Sequence, residues 1–173
     1  MPQLLVSIRP ADLTSEEGAV GDLMVEYMTW ATGQFKASFG IDAPTDPAQM
    51  RDNVADFGKP SSALLVAVGA GGELAGAGAL RTLEPGVVEL KRMYVRPAWR
   101  GRHVGSQLLD RLLDQAAELG ASTIRLDTAR FMHDAQGLYR SRGFAERPPY
   151  QGTEIPPDFQ QYWAFFERPV TGG

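Results

Sequence analysis

The 173-residue chain contains no cysteine. Disulfides, thiolate metal sites and a catalytic thiol are therefore excluded. Its two histidines, His103 and His133, leave no basis for a multi-histidine metal centre, and no metal is expected. No run approaches the roughly 18 apolar residues of a membrane span. Met1–Arg9 lacks the apolar core of a signal peptide. Positive charge is not in excess either: 17 Lys and Arg stand against 21 Asp and Glu, a net charge of -4. That balance argues against a general nucleic-acid binder. A soluble, cytoplasmic protein with no membrane or nucleic-acid partner is the expectation. Both common phosphate-loop patterns are also missing: there is no G-x-x-x-x-G-K-[ST] and no G-x-G-x-x-G after a strand.

What is present suits one packed domain. Hydrophobic residues make up 43% and charged residues 22%, which argues for a sizeable core and against global disorder. Residues 1–173 read as a single domain, with a flexible tail over 168–173. "LLVSIRPA" reads as an opening strand. A helix follows, with capping-box spacing at Thr14 and Glu17 and a stop at Gly33. A second helix is expected in "TDPAQMRDNVADFG", where Met50, Val54 and Phe57 share a face. "SALLVAVG" and "LAGAGALRTL" flank a glycine turn and read as a hairpin, and "GVVELKRMYVRP" reads as the next strand. The leucine stripe of "VGSQLLDRLLDQAAELG" marks the clearest helix, stopped by Gly120. "STIRLDT", a short helix ending at Gly143, and strands in "GFAERP" and "QYWAFFE" complete the chain. The fold class is α/β, a mixed sheet flanked by helices.

One stretch carries the wrong charge for its place. "VRPAWRGRHVG", Val95 to Gly105, has three arginines and a histidine and no acid, yet it opens the leucine-rich helix. Helix starts favour acids, because the dipole's positive end lies there. They also need a Ser, Thr, Asp or Asn to satisfy free N–H groups, and none precedes Val104. A bound phosphate would answer both needs. Arg100 and Arg102 would add charge-assisted contacts, while Gly101 and Gly105 let the backbone approach an anion. Solvated basic turns share this composition, so the loop alone leaves both readings open.

The surrounding residues add a resemblance. "ELKRMYVRPAWRGRHVGSQLL" resembles motif A of the GNAT superfamily of acyl-CoA-dependent N-acyltransferases, whose loop pattern is [QR]-x-x-G-x-[GA]. Arg100 and Gly105 match its ends, and His103 stands at its middle glycine. A histidine still has a backbone N–H, but it suits a positive φ poorly. "AQGLYRSRGF" resembles motif B, A-x-x-L-Y-x-x-x-G-F, through Ala135, Leu138, Tyr139, Gly143 and Phe144. Met132 stands where that family often has an asparagine.

The resemblance implies a mostly antiparallel sheet with one splayed strand pair, and acetyl-CoA as cosubstrate. It assigns the pyrophosphate to the backbone of Arg102, His103, Val104, Gly105 and Ser106, and the pantetheine arm to the strand carrying Met93, Tyr94 and Val95. It implies direct transfer of an acetyl group to a primary amine. Tyr139 is then the candidate acid. Glu89 is the candidate base; on a two-residue alternation, unless a bulge intervenes, it shares a face with Lys91, Met93 and Val95. A surface glutamate is the bland account of Glu89. Asp127 reads as a cap for the following turn, and Phe35 and Phe39 as packing or acceptor-pocket residues. The alternative function is a non-catalytic acyl-CoA-binding or regulatory module on the same fold. Aromatic closing strands, with Phe159, Tyr162, Trp163, Phe165 and Phe166, suggest a homodimer.

Overall fold

A computed structural model describes residues 5–171. Leu4, the first residue of the expected opening strand, lies outside this range. One seven-stranded sheet runs through the molecule. Its strands are β1 (Val6–Pro10), β2 (Ser62–Gly69), β3 (Leu74–Glu84), β4 (Val87–Val95), β5 (Thr123–Ala129), β6 (Ala145–Arg147) and β7 (Trp163–Pro169). The order across the sheet is β1-β2-β3-β4-β5-β7-β6. All neighbours are antiparallel except β4 and β5. Helices α1 (Glu17–Phe39), α2 (Val104–Glu118) and α3 (His133–Ser141) flank it. Among the described residues no helix is long and apolar enough to cross a membrane.

The sheet has a core on each face. On one, α2 lays Leu108, Leu109 and Leu112 against Leu65, Leu80, Leu90 and Leu126. Gly78 admits this packing: a Cβ there would come within 2.5 Å of Leu112 and 2.8 Å of the Met93 sulfur. On the other face, Val20, Leu23 and Met24 of α1 meet Leu64, Val66 and Tyr94. Strands β2 and β3 are buried on both faces, which is why they read as continuous apolar runs.

Several expectations are corrected. Helix α1 does not stop at Gly33; it continues to Phe39 and ends at Gly40, whose φ is +73°. An interior glycine costs only about 1 kcal/mol, and Phe35, two residues beyond Gly33, is almost wholly buried. The turn before α1 is organised by Asp12 and not by a Thr14–Glu17 box. The Asp12 carboxylate accepts from Thr14 N and from the Thr14 and Ser15 hydroxyls, while Asp12 N donates to Glu16. The second helix is replaced by two 3-10 turns, Pro47–Arg51 and Val54–Gly58, the first capped by Asp46. They press Met50 and Val54 onto α1; Asp52 and Asn53 between them are residues whose side chains compete with helix formation. Arg168 and Pro169, expected in a tail, belong to β7 opposite Ile124 and Thr123, and Val170 N donates to Ser122 O at 2.8 Å. Residues 172–173 of that tail lie outside the described range. The C-terminal aromatics face inward: Phe165 and Phe166 are buried, and Phe159, Tyr162 and Trp163 are partly buried. Among the described residues they form no exposed aromatic strand.

Candidate active site

Two features of β4 build the site. The first is the splay. β4 pairs with β5 only from Val87↔Thr123 to Leu90↔Leu126. Beyond that point both strands continue without each other, so the main-chain groups of 91–95 that face the gap have no partner strand. The second is a bulge. Ala77 stands opposite Tyr94 and Ala79 opposite Lys91, so Arg92 and Met93 together face Gly78, and Arg92 has φ +59°. An extra residue reverses the alternation. Glu89 and Lys91 therefore do not share a face with Met93 and Val95, as simple alternation implies. Met93 and Val95 pack with the α2 core, and Tyr94 with the α1 core.

A cavity of about 610 Å³ opens where β4 ends. Met93, Tyr94, Val95, Arg100, Gly101, His103, Val104, Gly105 and Ser106 all border it, and Arg102 does not. The loop before α2 is held open by two left-handed residues, Gly101 (φ +74°) and His103 (φ +62°). The middle glycine of the family pattern thus falls where φ is positive, and histidine is among the few other residues that adopt it. Successive backbone N–H groups in turn conformations form anion-binding concavities. No side chain caps α2, so its first N–H groups are left for a ligand. The Ser106 hydroxyl donates to His103 O at 2.9 Å.

The arginines divide their work. Arg96 turns away, pairing with Glu26 at 3.2 Å and donating to Leu74 O at 2.9 Å. Glu26 also accepts from the Tyr94 hydroxyl at 3.0 Å; burial, and then that carboxylate, push the phenol up to about 12. Arg100 donates Nε to Val95 O at 2.9 Å and lies 4.8 Å from the Trp30 ring centroid, which ties the loop to β4 and α1. Arg102 lies over Trp99 at 5.9 Å and makes no ion pair among the described residues.

A second cavity, of about 280 Å³, lies on the other side of the splay. Tyr139, Tyr27, Met93, Phe131, Met132 and Ala135 border both cavities. Tyr139 is 5% exposed and packs edge-on against Phe144 at 5.8 Å. Its hydroxyl has no hydrogen-bond partner among the described residues. Burial, reinforced by Tyr27 and Asp127, raises its pKa well above the ordinary phenol value, so it holds its proton. Met132 occupies the turn into α3, where its sulfur accepts from the Thr128 hydroxyl at 3.5 Å. His133 is exposed at the start of α3.

Glu89 is no surface residue; it is fully buried. Its Oε1 accepts from Arg81 Nε at 2.6 Å, and its Oε2 accepts from the Tyr150 hydroxyl at 2.6 Å. Glu89 does not border the second cavity. Lys91 Nζ joins the cluster, 3.7 Å from Glu89, 3.6 Å from Asp127 and 3.1 Å from Glu154. Burial alone would lower the Lys91 pKa, but the three carboxylates raise it above the ordinary lysine value. Asp127 does not cap a turn. It sits in β5 and borders the second cavity. Burial raises its pKa, with Lys91 opposing and Glu89 and Glu154 adding to the rise. For Glu154 burial is outweighed by Lys91 and Arg81, and its pKa falls. Arg81, Tyr150, Glu154 and the cavity-bordering place of Asp127 escape sequence reasoning. Only Arg81 left a signal, as the direct cross-strand partner of Glu89 in the β3–β4 hairpin.

The sequence profile described as Acetyltransferase (GNAT) family matches residues 24–144. The chain belongs to the GNAT acetyltransferase family. This GNAT chain is 32% identical over 126 residues to an uncharacterized N-acetyltransferase of Schizosaccharomyces pombe, covering 71% of this chain and 77% of that protein. It is 40% identical over 93 residues to the IAA acetyltransferase of Azospirillum brasilense; that match spans 53% of this chain and only 60% of the relative. The fold is shared with the Salmonella typhimurium protein yncA, solved with its cofactor acetyl-CoA (TM-score 0.71, 19% identity, 98% of this chain and 96% of that one).

Proposed function

We propose that this GNAT domain transfers an acetyl group from acetyl-CoA directly to a primary amine. The observation that carries the reading is the placing of Tyr139 between two cavities, one at an uncapped helix start and an unpaired strand edge, the other bordered by Lys91, Arg92, Asp127 and Glu154. The first cavity fits acetyl-CoA on its own geometry. It offers an uncapped helix start, left-handed residues at Gly101 and His103, and an unpartnered β4 edge. A Cβ on Gly105 would meet Val95 and Leu138 at 3.7 Å, an ordinary contact, so the protein's own packing does not demand glycine there.

In this reading the N–H groups of 102–106 bind the pyrophosphate, and Arg102 adds charge. Met93, Tyr94 and Val95 bind the pantetheine arm through their main chain. Acetyl-CoA supplies an acetyl group already activated as a thioester. Tyr139 holds a proton on its hydroxyl at the junction, where a departing thiolate needs one, and the proton released by the attacking amine restores the hydroxyl through solvent. Glu89 we assign to positioning: both its oxygens are engaged, and it fixes Arg81 and Tyr150 behind the second cavity and Lys91 at its wall.

The test is a thiol-release assay with acetyl-CoA and a broad panel of amines, alongside calorimetry of acetyl-CoA binding. Binding plus turnover of at least one amine is expected. Binding without turnover of any amine makes the protein an acyl-CoA-binding module, and no binding removes the reading altogether.

A further inference from the structure

The second cavity carries balanced charge. Lys91, Arg92, Asp127 and Glu154 border it, two cations and two anions. Behind it, Arg81 and Glu89 pair with each other at 2.6 Å. A polycation would find no net counter-charge here.

Within this set two groups are unsatisfied. The Asp127 side chain is 9% exposed, and its Oδ2 is a buried oxygen with no hydrogen-bond partner among the described residues. The nearest cation, Lys91 Nζ, is 3.6 Å away, beyond hydrogen-bond distance, and lies closer to Glu154 at 3.1 Å. A buried carboxylate oxygen without a donor is costly, and a ligand ammonium would supply one. Arg92 is the second group. Among the described residues it makes no ion pair and no side-chain hydrogen bond; its guanidinium lies 5.9 Å from the Phe57 ring centroid. The bulge that holds it at φ +59° places it on the cavity wall. Left-handed backbone at a non-glycine residue costs free energy and gathers at functional sites. A free guanidinium is suited to a carboxylate or similar planar anion. Much of the remaining wall is apolar, with Met28, Phe35, Met50, Phe131 and Trp163 prominent.

We infer that the acceptor is a small zwitterion of amino-acid type, with its ammonium on Asp127, its carboxylate at Arg92 and an apolar body against the aromatic wall. This rests on the acetyltransferase reading and narrows it to one substrate class. It sets polyamines and other polycations aside.

The experiment titrates apolar amino acids (phenylalanine, tryptophan, methionine and leucine) into the protein saturated with CoA. The matching amines lacking the carboxylate, and spermidine, are titrated in parallel. At least one amino acid should bind roughly 10–100-fold more tightly than its matching amine, the size expected for a charged hydrogen bond. Arg92→Gln should erase that advantage and leave the amine's own affinity unchanged. Asp127→Asn should weaken amino acid and amine alike. Both variants should keep wild-type acetyl-CoA affinity, which also reports an intact fold. The inference is overturned if no amino acid binds, if amines or spermidine bind as tightly, or if Arg92→Gln weakens both ligands equally. Failure of acetyl-CoA itself to bind would instead remove the acetyltransferase reading, so the two failures are separable.

Discussion

The two cavities that meet at Tyr139 are made of different material. The first offers main chain to a ligand, at a helix start, two left-handed residues and an unpaired strand edge, among aromatic side chains. The second is side chain: a buried charge cluster and a wall of aromatics gathered from α1, β4, β5 and the segment before β7. A backbone site depends on a few glycines and on where strands stop pairing, and side chains around it vary with little effect. His103 shows this, since it adopts the φ a glycine would otherwise supply. A side-chain site changes with every substitution and so sets what the molecule acts on.

The largest effect should come from blocking the backbone site. Gly105→Glu places bulk and like charge where the pyrophosphate is expected, and acetyl-CoA binding should vanish in calorimetry while the melting temperature holds. Unchanged affinity would show that the ligand does not use this loop. Next in size is the junction. Tyr139→Phe keeps the ring that packs on Phe144 and removes the proton, so turnover should fall by about 10²–10⁴-fold. Acetyl-CoA affinity and stability should stay near wild type. Full activity in this variant would require another donor.

Asp127 sharpens the comparison through stability. Its folded pKa is raised, so the native state favours the protonated form. For such a carboxyl, stability is fully present below the unfolded pKa and is lost as pH rises through the folded value. Asp127→Asn lacks that loss. Its melting temperature should match wild type in acid and equal or exceed it at neutral pH, even though acceptor binding suffers. A variant less stable than wild type at neutral pH would mean that Asp127 chiefly holds Lys91. The smallest effect belongs to His103→Gly. Relief of the left-handed strain, less the extra chain entropy of glycine, should stabilise by roughly 0.5–1 kcal/mol, with acetyl-CoA affinity little changed. A large loss of affinity would mean that the imidazole itself touches the ligand.

The same division explains what the sequence discloses. The loop, the leucine stripe of α2 and the α3 segment are local patterns, and each appears where spacing places it. The splay follows from the family resemblance and is present beyond Leu90 and Leu126. The bulge at Arg92 is not legible, because nothing in "ELKRMYV" marks an inserted residue, and it reverses the faces of Met93 and Val95 relative to Glu89. Helix α1 runs past Gly33 because burial of Phe35, a tertiary effect, outweighs a glycine's propensity. The charge cluster joins Glu89 to Tyr150, 61 positions away, and Lys91 to Glu154. No local pattern encodes such partners, so Glu89 reads as a free base when its oxygens are already held.

The most direct test of the account is a calorimetric titration of acetyl-CoA into the wild-type protein in the presence of a chelator. The account predicts stoichiometric binding that Gly105→Glu abolishes and Asp127→Asn leaves intact. A folded wild-type protein that binds no acetyl-CoA would contradict it.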